Sequence, residues 1–198
     1  MSYIETIAPE LAEGEVREMY QRQESHFGFL PNYAHVFCHR PEVMKCWAAL
    51  IATIRRPMAP RRYELVTLAA ARALGNTYCS LAHAKALLQL MGMEAAQAML
   101  TDEAGPLSEA ERVMMDFAAK VACRAQEVGS EDIEALRAHG FADDEIFDIV
   151  AVVAGRAFFT RILDGLGVEA DAVFRQLPPG LVGPLSVGRP IAHAVAQT

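Results

Sequence analysis

Helical periodicity runs through nearly the whole sequence, and this feature restricts the fold more than any other. Apolar residues recur three and four positions apart, as Val16, Met19 and Tyr20 do near the start of the chain. This spacing places them on one face of an α-helix. No segment alternates apolar and polar residues for long enough to predict a β-strand. We therefore predict an all-α protein, a compact bundle of about seven to nine helices.

Prolines, glycines and capping residues mark the expected helix ends. Gly28 and Gly75 are placed to terminate helices, while Asn76 can cap the start of one. Ser108 and Glu111 have the spacing of a capping box. The expected helices cover residues 9–26, a short stretch before Pro41, 41–54, 61–75, 76–92, a helix that starts at Ser108, a short helix capped by Ser130, and 143–167.

The sequence divides into a helical domain and a C-terminal arm. We expect one all-helical domain over residues 1–175, with its core helix pair at 62–91. Residues 176–198 form an extended arm that is rich in proline and glycine, so it cannot be a regular helix throughout. Such an arm either packs on a neighbouring subunit or is a partly disordered terminus.

Charge and hydropathy exclude several classes of protein. The net charge is −7 at pH 7, and no run of basic residues interleaves with aromatic ones, so we expect no nucleic-acid partner. The first residues lack the basic and apolar segments of a secretory signal, and no apolar stretch is long enough for a membrane span. We therefore predict a cytoplasmic protein. A hydrophobic content of 53% favours buried interfaces in a homo-oligomer.

Three side chains near residue 76 form the candidate catalytic site. If Asn76 caps a helix, Cys79 is its third residue, where free N–H groups and the helix dipole lower the pKa of a thiol. His83 follows one turn later on the same face and can exchange a proton with the sulfur. Glu64 lies on the preceding helix, and the corner at Gly75 can bring it to His83. Taken singly, each of these side chains can instead be structural.

The other cysteines give weaker signals. Cys46 and Cys123 lie on expected helices, and we interpret both as structural. Cys38 lies between His35 and His39, but this H-x-x-C-H pattern lacks a second cluster at ligand spacing. We therefore expect no metal and no cofactor.

A longer motif surrounds the candidate site. The segment YELVTLAAARALGNTYCSLAH resembles the alkylhydroperoxidase D pattern, which is a Glu, eleven residues, and then Cys-x-x-Cys-x-x-x-His. Glu64, Asn76, Cys79 and His83 occupy its four positions. The segments FLPNYAHVFCHRPEV and FFTRILDGLGVEAD are similar to the peroxidase-related branch and to the closing helix of the family. The resemblance covers about residues 10–175.

The resemblance implies a peroxidase site with one departure from the family pattern. It implies that Cys79 attacks the peroxide and that His83 and Glu64 relay protons. We name Asn76 and Tyr78 as candidate supporting residues beside them. Asn76 replaces the cysteine that resolves the oxidised thiol in the family. An external thiol reductant is then needed, unless Cys38, Cys46 or Cys123 can reach Cys79. The resemblance also implies a trimer or hexamer.

Three functions follow as expectations. The first is thiol-dependent reduction of a small hydroperoxide. The second is an enzyme that resembles carboxymuconolactone decarboxylase and acts on a small acid or lactone, for which His83 and Arg72 are the available cationic groups. The third is a non-catalytic oligomer that binds a ligand or senses oxidants through Cys79.

Overall fold

The described part of the chain is almost entirely helical. A computed structural model describes residues 2–101 and 105–193. Its α-helices are α1 (Gly14–Phe27), α2 (Asn32–Val36), α3 (Pro41–Arg55), α4 (Pro60–Ala73), α5 (Thr77–Met91), α6 (Met93–Thr101), α7 (Glu109–Arg124), α8 (Ser130–Ala138), α9 (Asp143–Gly165) and α10 (Pro179–Leu185). The only β contact within this part is an isolated bridge between Ala170 and Ile191. The prediction of an all-α fold is confirmed.

Local capping signals mark most of the helix ends correctly. Gly28 ends α1 with a φ of 78°, a backbone conformation that glycine adopts without a steric penalty. Gly75, with a φ of 72°, follows α4, and Asn76 caps α5 through its side chain. Ser108 and Glu111 form the expected capping box at the start of α7. The residues next to each helix end therefore determine where it stops.

Three details differ from the sequence prediction. Helix α6 follows α5 almost without a break, and the sequence analysis assigned no helix there. Helix α10 lies inside the Pro/Gly-rich arm, since Pro179 occupies the first helical position, where proline is tolerated. The short helix α8 is capped at Gly129 rather than Ser130, because Asp132 accepts the Gly129 N–H at 2.8 Å. Helices α6 and α10 bring the number of α-helices in the described part to ten, above the expected seven to nine.

Helix α4 lies at the centre of the fold. All of its residues from Tyr63 to Ala71 are buried. It packs against α5, α7 and α9, while α3 packs against α9. Fully buried leucines, among them Leu65 and Leu81, fill the space between these helices. Because α4 contacts α5 and α9, side chains from all three helices reach one region of the core.

The C-terminal arm packs on its own chain. Leu181 and Leu185 of α10 are fully buried, and α10 contacts α5 and α6. Further along, the Gly188 N–H donates to Thr77 Oγ1 at 2.8 Å, at the start of α5. Residues 177–193 thus contact the helical domain of the same chain, whereas residues 194–198 lie outside the described residues. Packing of the arm on a neighbouring subunit stays a prediction.

The helices also bear on the prediction about membranes. Within residues 2–101 and 105–193, no helix combines the length and the apolar character that a membrane crossing requires. The longest helix, α9, carries acidic residues at its start and arginines at Arg156 and Arg161.

Candidate active site

The corner between α4 and α5 positions Cys79. The Asn76 side chain accepts the Cys79 N–H at 2.8 Å and donates through Nδ2 to Asp164 at 2.9 Å. Asn76 thus caps α5 and ties it to α9. Cys79 is the third residue of α5, as the sequence predicted.

Burial affects the pKa of the Cys79 thiol more than its position at the helix start does. Only 2% of the residue is exposed. Burial raises the pKa of the Cys79 thiol, because a thiolate loses its solvation in the core, while Arg156 acts in the opposite direction. The net pKa is raised. The sequence-based expectation of a lowered pKa is therefore wrong, since it considered the helix dipole and not the tertiary burial.

His83 and Glu64 meet as expected, across the α4–α5 corner. The His83 Nδ1 atom lies 2.5 Å from Glu64 Oε2, and both side chains are largely buried. Burial lowers the pKa of His83, Arg156 lowers it further, and the bond to Glu64 opposes both. His83 is therefore neutral near pH 7. With Nδ1–H donated to the carboxylate, Nε2 carries the lone pair and can accept a proton.

Arg156 is the functional candidate that the sequence analysis missed. It lies in α9 and is only 5% exposed. Its Nη1 atom lies 3.8 Å from Cys79 Sγ, and its Nη2 atom lies 3.4 Å from the hydroxyl of Tyr63. Its Nε atom is buried without a hydrogen-bond partner among the described residues. The guanidinium is thus a buried cation beside the thiol.

The sequence did contain a signal for Arg156. It interrupts the apolar run IVAVVAGRAFF, and no acidic residue lies three or four positions away on either side. A charge in such a helix is costly unless a distant group or a ligand compensates it. The cation named from the sequence, Arg72, is exposed near the end of α4 and is not among the residues that line the cavity. Arg72 is therefore not the cation of this site.

A cavity of about 640 Å³ opens beside these groups. Its size suits a small organic molecule. Cys79, His83, Glu64 and Arg156 all line it. Much of the remaining wall is aromatic, and includes Phe27, Phe29, Tyr33, Trp47, Tyr63, Tyr78, Phe159 and Phe174.

A second hydrogen-bonded pair lies in the same wall. The hydroxyl of Tyr78, which the sequence named as a supporting residue, donates to Asp171 Oδ2. The other carboxylate oxygen accepts the Asn32 N–H at 2.7 Å. Burial raises the pKa of Asp171, although its hydrogen bonds to Tyr78 and Asn32 partly offset this. Asp171 had no signal in the sequence, because it lies 93 positions from Tyr78.

The other cysteines lie away from the cavity. All four cysteines are free. Among the described residues that line the cavity, Cys79 is the one cysteine. Cys38 is buried and accepts the Ile7 N–H at 3.4 Å, whereas Cys46 and Cys123 are exposed. Cys46 and Cys123 are thus both more exposed than their expected structural roles imply.

The structure also bears on the expectation of no metal. In the part of the chain that the structure describes, no three His, Cys, Asp or Glu side chains are grouped so that they could hold a metal ion. The groups around Cys79 instead form two separate pairs, one of His83 with Glu64 and one of Cys79 with Arg156.

Known proteins share this fold. No protein-family sequence model and no curated protein sequence matches the chain. The alkylhydroperoxidase AhpD core of an uncharacterized peroxidase-related protein from Ralstonia eutropha JMP134 is 25% identical, with a TM-score of 0.75 over 87% of this chain and 94% of that one. An uncharacterized peroxidase-related protein from Silicibacter sp. TM1040 is 23% identical, with a TM-score of 0.75 over 88% and 94% of the two chains.

A third structure has a different activity. The debrominase Bmp8, as a cysteine-to-alanine variant in complex with 2,3,4-tribromopyrrole, is 17% identical, with a TM-score of 0.71 over 88% of this chain and 96% of that one. Its likeness is one of fold. The described part of the chain thus has the helical fold of the alkylhydroperoxidase AhpD core and of the peroxidase-related proteins to which it is similar.

Proposed function

We propose that the protein is a thiol-dependent peroxidase with Cys79 as its single reactive cysteine. The observation that carries this proposal is the contact between Arg156 and the Cys79 sulfur inside a cavity that His83 also lines. A nearby guanidinium favours the thiolate, which is the nucleophilic form of cysteine. His83 is a neutral base one turn away on the same helix.

The reaction begins with proton transfer from the Cys79 thiol to His83. The thiolate then attacks the terminal oxygen of a hydroperoxide, so that an S–O bond forms as the O–O bond breaks. Cys79 becomes a sulfenic acid, and the leaving alkoxide takes the proton from His83 to give an alcohol. The sulfur loses two electrons and the peroxide gains them. Glu64 orients His83 and stabilises its charged form during the transfer.

An external thiol completes the cycle. It attacks the sulfenic acid to form a mixed disulfide and release water, and a second thiol releases Cys79 as a new disulfide leaves. Asn76 stands where the family has its resolving cysteine, and no other cysteine is among the residues that line the cavity. Both observations support a one-cysteine cycle.

A peroxide-consumption assay with dithiothreitol tests the proposal. We expect turnover by the wild type and its loss in Cys79→Ser. Cys46→Ser and Cys123→Ser are matched controls, because both thiols are exposed and are not among the cavity-lining residues. Equal turnover by the wild type and Cys79→Ser would overturn the proposal. Oxidation of Cys79 without turnover would also overturn it, in favour of the redox-sensing alternative.

Reductive dehalogenation is a second candidate, supported by the aromatic cavity wall beside a thiol. Here the thiolate takes bromine from a carbon atom, and the ring carbon takes a proton from His83. An external thiol then displaces bromide from the sulfur and forms a mixed disulfide. Bromide release from 2,3,4-tribromopyrrole by the wild type, and none by Cys79→Ser, would favour this reaction. Equal release by both proteins would exclude it.

The expected homo-oligomer stays a prediction. Support comes from apolar side chains exposed on α3 and α9, namely Leu50, Phe147 and Phe158. Such side chains on neighbouring helices are typical of a surface that packs against another copy. Light scattering on the purified protein would distinguish a trimer or hexamer from a monomer.

A further inference from the structure

Arg156 is a buried cation for which the described residues provide no anion. None of their carboxylate oxygens forms a salt bridge with its guanidinium, and its polar contacts are the sulfur of Cys79 and the hydroxyl of Tyr63. Both contacts are long, at 3.8 and 3.4 Å, and Nε has no partner. The rings of Trp47 and Phe159 lie 5.5 and 5.7 Å from its central carbon. A guanidinium can donate five N–H bonds, so most of this capacity is unused.

A buried charge without a partner is costly, because the lost hydration is not replaced. The neutral Cys79 thiol does not replace it, and burial favours that neutral form. An anionic ligand would therefore gain binding energy at Arg156 that a neutral ligand of the same shape would not.

The two carboxylates of the cavity wall do not pair with Arg156, because each has other partners. Glu64 already contacts His83 at 2.5 Å and Arg55 at 3.9 Å. Asp171 already accepts from Tyr78 and from the Asn32 N–H. The two carboxylates of the wall thus have partners of their own, whereas Arg156 has no anionic partner among the described residues. Among the described residues of the wall, the buried charge without an ionic partner is therefore positive, and Lys85 is a further, exposed cation of the same wall.

The aromatic residues of the cavity wall indicate the shape and polarity of the rest of the ligand. Trp47 and Phe159 stack with ring centroids 4.3 Å apart, and Trp47 donates to the Gly155 carbonyl at 2.9 Å. The hydroxyl of Tyr63 contacts Nη2 of the guanidinium. Flat rings that are fixed by their own contacts favour a flat apolar ligand body, since neither partner has to be ordered on binding.

We propose that the cavity binds a small aromatic carboxylate, with its carboxylate on Arg156 and its ring against the aromatic wall. The inference deepens the proposed function and rests on it for the role of Cys79. In that reaction the substrate is an aromatic peroxy acid, and the bound aromatic carboxylate is its product. The thiolate attacks the terminal peroxy oxygen, Cys79 becomes a sulfenic acid, and the leaving carboxylate takes over the ion pair that the thiolate gives up. This leaving group needs no proton.

The single tryptophan provides a direct measurement of binding. Trp47 is the only tryptophan of the chain, and it lines the cavity. We expect benzoate to change its fluorescence saturably and to bind about tenfold more tightly than benzamide, its neutral counterpart of the same shape. Acetate, which has the charge without the ring, should bind more weakly than benzoate. Equal affinities for benzoate and benzamide would overturn the inference.

Variants of α9 test the role of Arg156. Arg156→Gln should lose the preference for benzoate, and Arg156→Lys should keep part of it. Arg161→Gln is the matched control, because Arg161 is exposed on the same helix. Circular dichroism establishes that each variant is folded. A folded Arg156→Gln protein that still prefers benzoate would contradict the inference, and the comparison of ligands on the wild type needs no variant at all.

Binding and turnover can fail separately. Cys79→Ser should bind benzoate although it cannot reduce a peroxide. A protein without peroxidase activity that prefers benzoate supports the binding site and overturns only the proposed function. Peroxide turnover without a preference for benzoate supports the proposed function and overturns the proposed binding site.

Discussion

The Nη1 atom of Arg156 lies 3.8 Å from the Sγ atom of Cys79, and this contact joins the middle of α9 to the first turn of α5. The two residues are 77 positions apart, so that only the packing of α4 between these helices brings them together. The contact opposes the effect of burial on the pKa of the thiol. The reactivity of Cys79 therefore depends on α9 as well as on its own helix.

Arg156→Gln should make Cys79 less reactive. Without the guanidinium, only burial and the charge of Asp164 remain to raise the pKa of the thiol, so less thiolate forms at neutral pH. We expect the alkylation of Cys79 by iodoacetamide at pH 7.5 to slow by about tenfold. Peptide mass spectrometry follows the modified cysteine. Arg161→Gln should keep the wild-type rate, and an unchanged rate in Arg156→Gln would rule out this role.

His83 should make the protein less stable in acid. Burial, followed by the charge of Arg156, lowers its pKa in the folded state below the ordinary 6.5. Between these two pKa values the unfolded chain binds more protons, so the free energy of unfolding falls as the pH drops below about 6.5. Urea denaturation at pH 7 and at pH 5 should show this loss, with a slope of at most about 1.4 kcal/mol per pH unit for one group.

Two variants separate the contributions to this slope. Burial also lowers the pKa of His35, which should contribute in the same direction. His83→Gln and His35→Gln should each remove a share of the pH dependence, and the double variant should remove both shares. A His83→Gln protein with the full wild-type slope would show that His83 is not the group responsible.

Asn76→Cys should restore a disulfide cycle. Asn76 caps α5 and bonds to the Cys79 N–H at 2.8 Å, so its side chain already lies next to the start of the helix. A thiol at this position should react with a sulfenic acid on Cys79 and release water. Intact-mass measurement after one equivalent of peroxide should show the loss of two hydrogen atoms.

Asn76→Ser is the matched control for that experiment. Serine also caps helices and carries no thiol. Both variants lose the Asn76 bond to Asp164 equally. This control should instead gain oxygen on Cys79 or form a mixed disulfide with added thiol. Identical mass changes in the two variants would mean that position 76 does not place a thiol within reach of Cys79.

Gly188→Ala should destabilise the C-terminal arm. A methyl group at Gly188 would overlap the carbonyl oxygen of Gly75, so the arm would have to move away from the α4–α5 corner. We expect a loss of about 1–3 kcal/mol in the free energy of unfolding, as is typical of overpacking. Gly183→Ala is the control, because nothing lies within 4 Å of a methyl group there. Equal stability of the two variants would contradict the close approach seen at Gly188.

Local signals in the sequence predicted the helical framework and one half of the site. The ends at Gly28 and Gly75 and the cap at Asn76 depend on neighbouring residues, so the sequence sufficed for them. Cys79 and His83 lie one turn apart on one helix, and this relation also follows from spacing. The pairing of His83 with Glu64 needed only a short corner between two adjacent helices.

The other half of the site depends on contacts between distant segments. Arg156 and Asp171 meet α5 from 77 and 93 positions away, and no pattern within a helix contains that information. The sign of the shift in the Cys79 pKa depends on burial by the whole core. Helix α10 was missed because its prolines suggest an irregular arm, although Leu181 and Leu185 stabilise it by packing inside.

The position of the arm has a consequence for the order of events during biosynthesis. Gly188 donates to Thr77, and Ile191 forms the bridge to Ala170, so segments made late in translation close over the start of α5. Helices α4 and α5 leave the ribosome earlier, whereas a domain generally folds as a unit. Helix α5 therefore lacks the contact of Gly188 with Thr77, next to the Cys79 turn, until the arm has also left the ribosome.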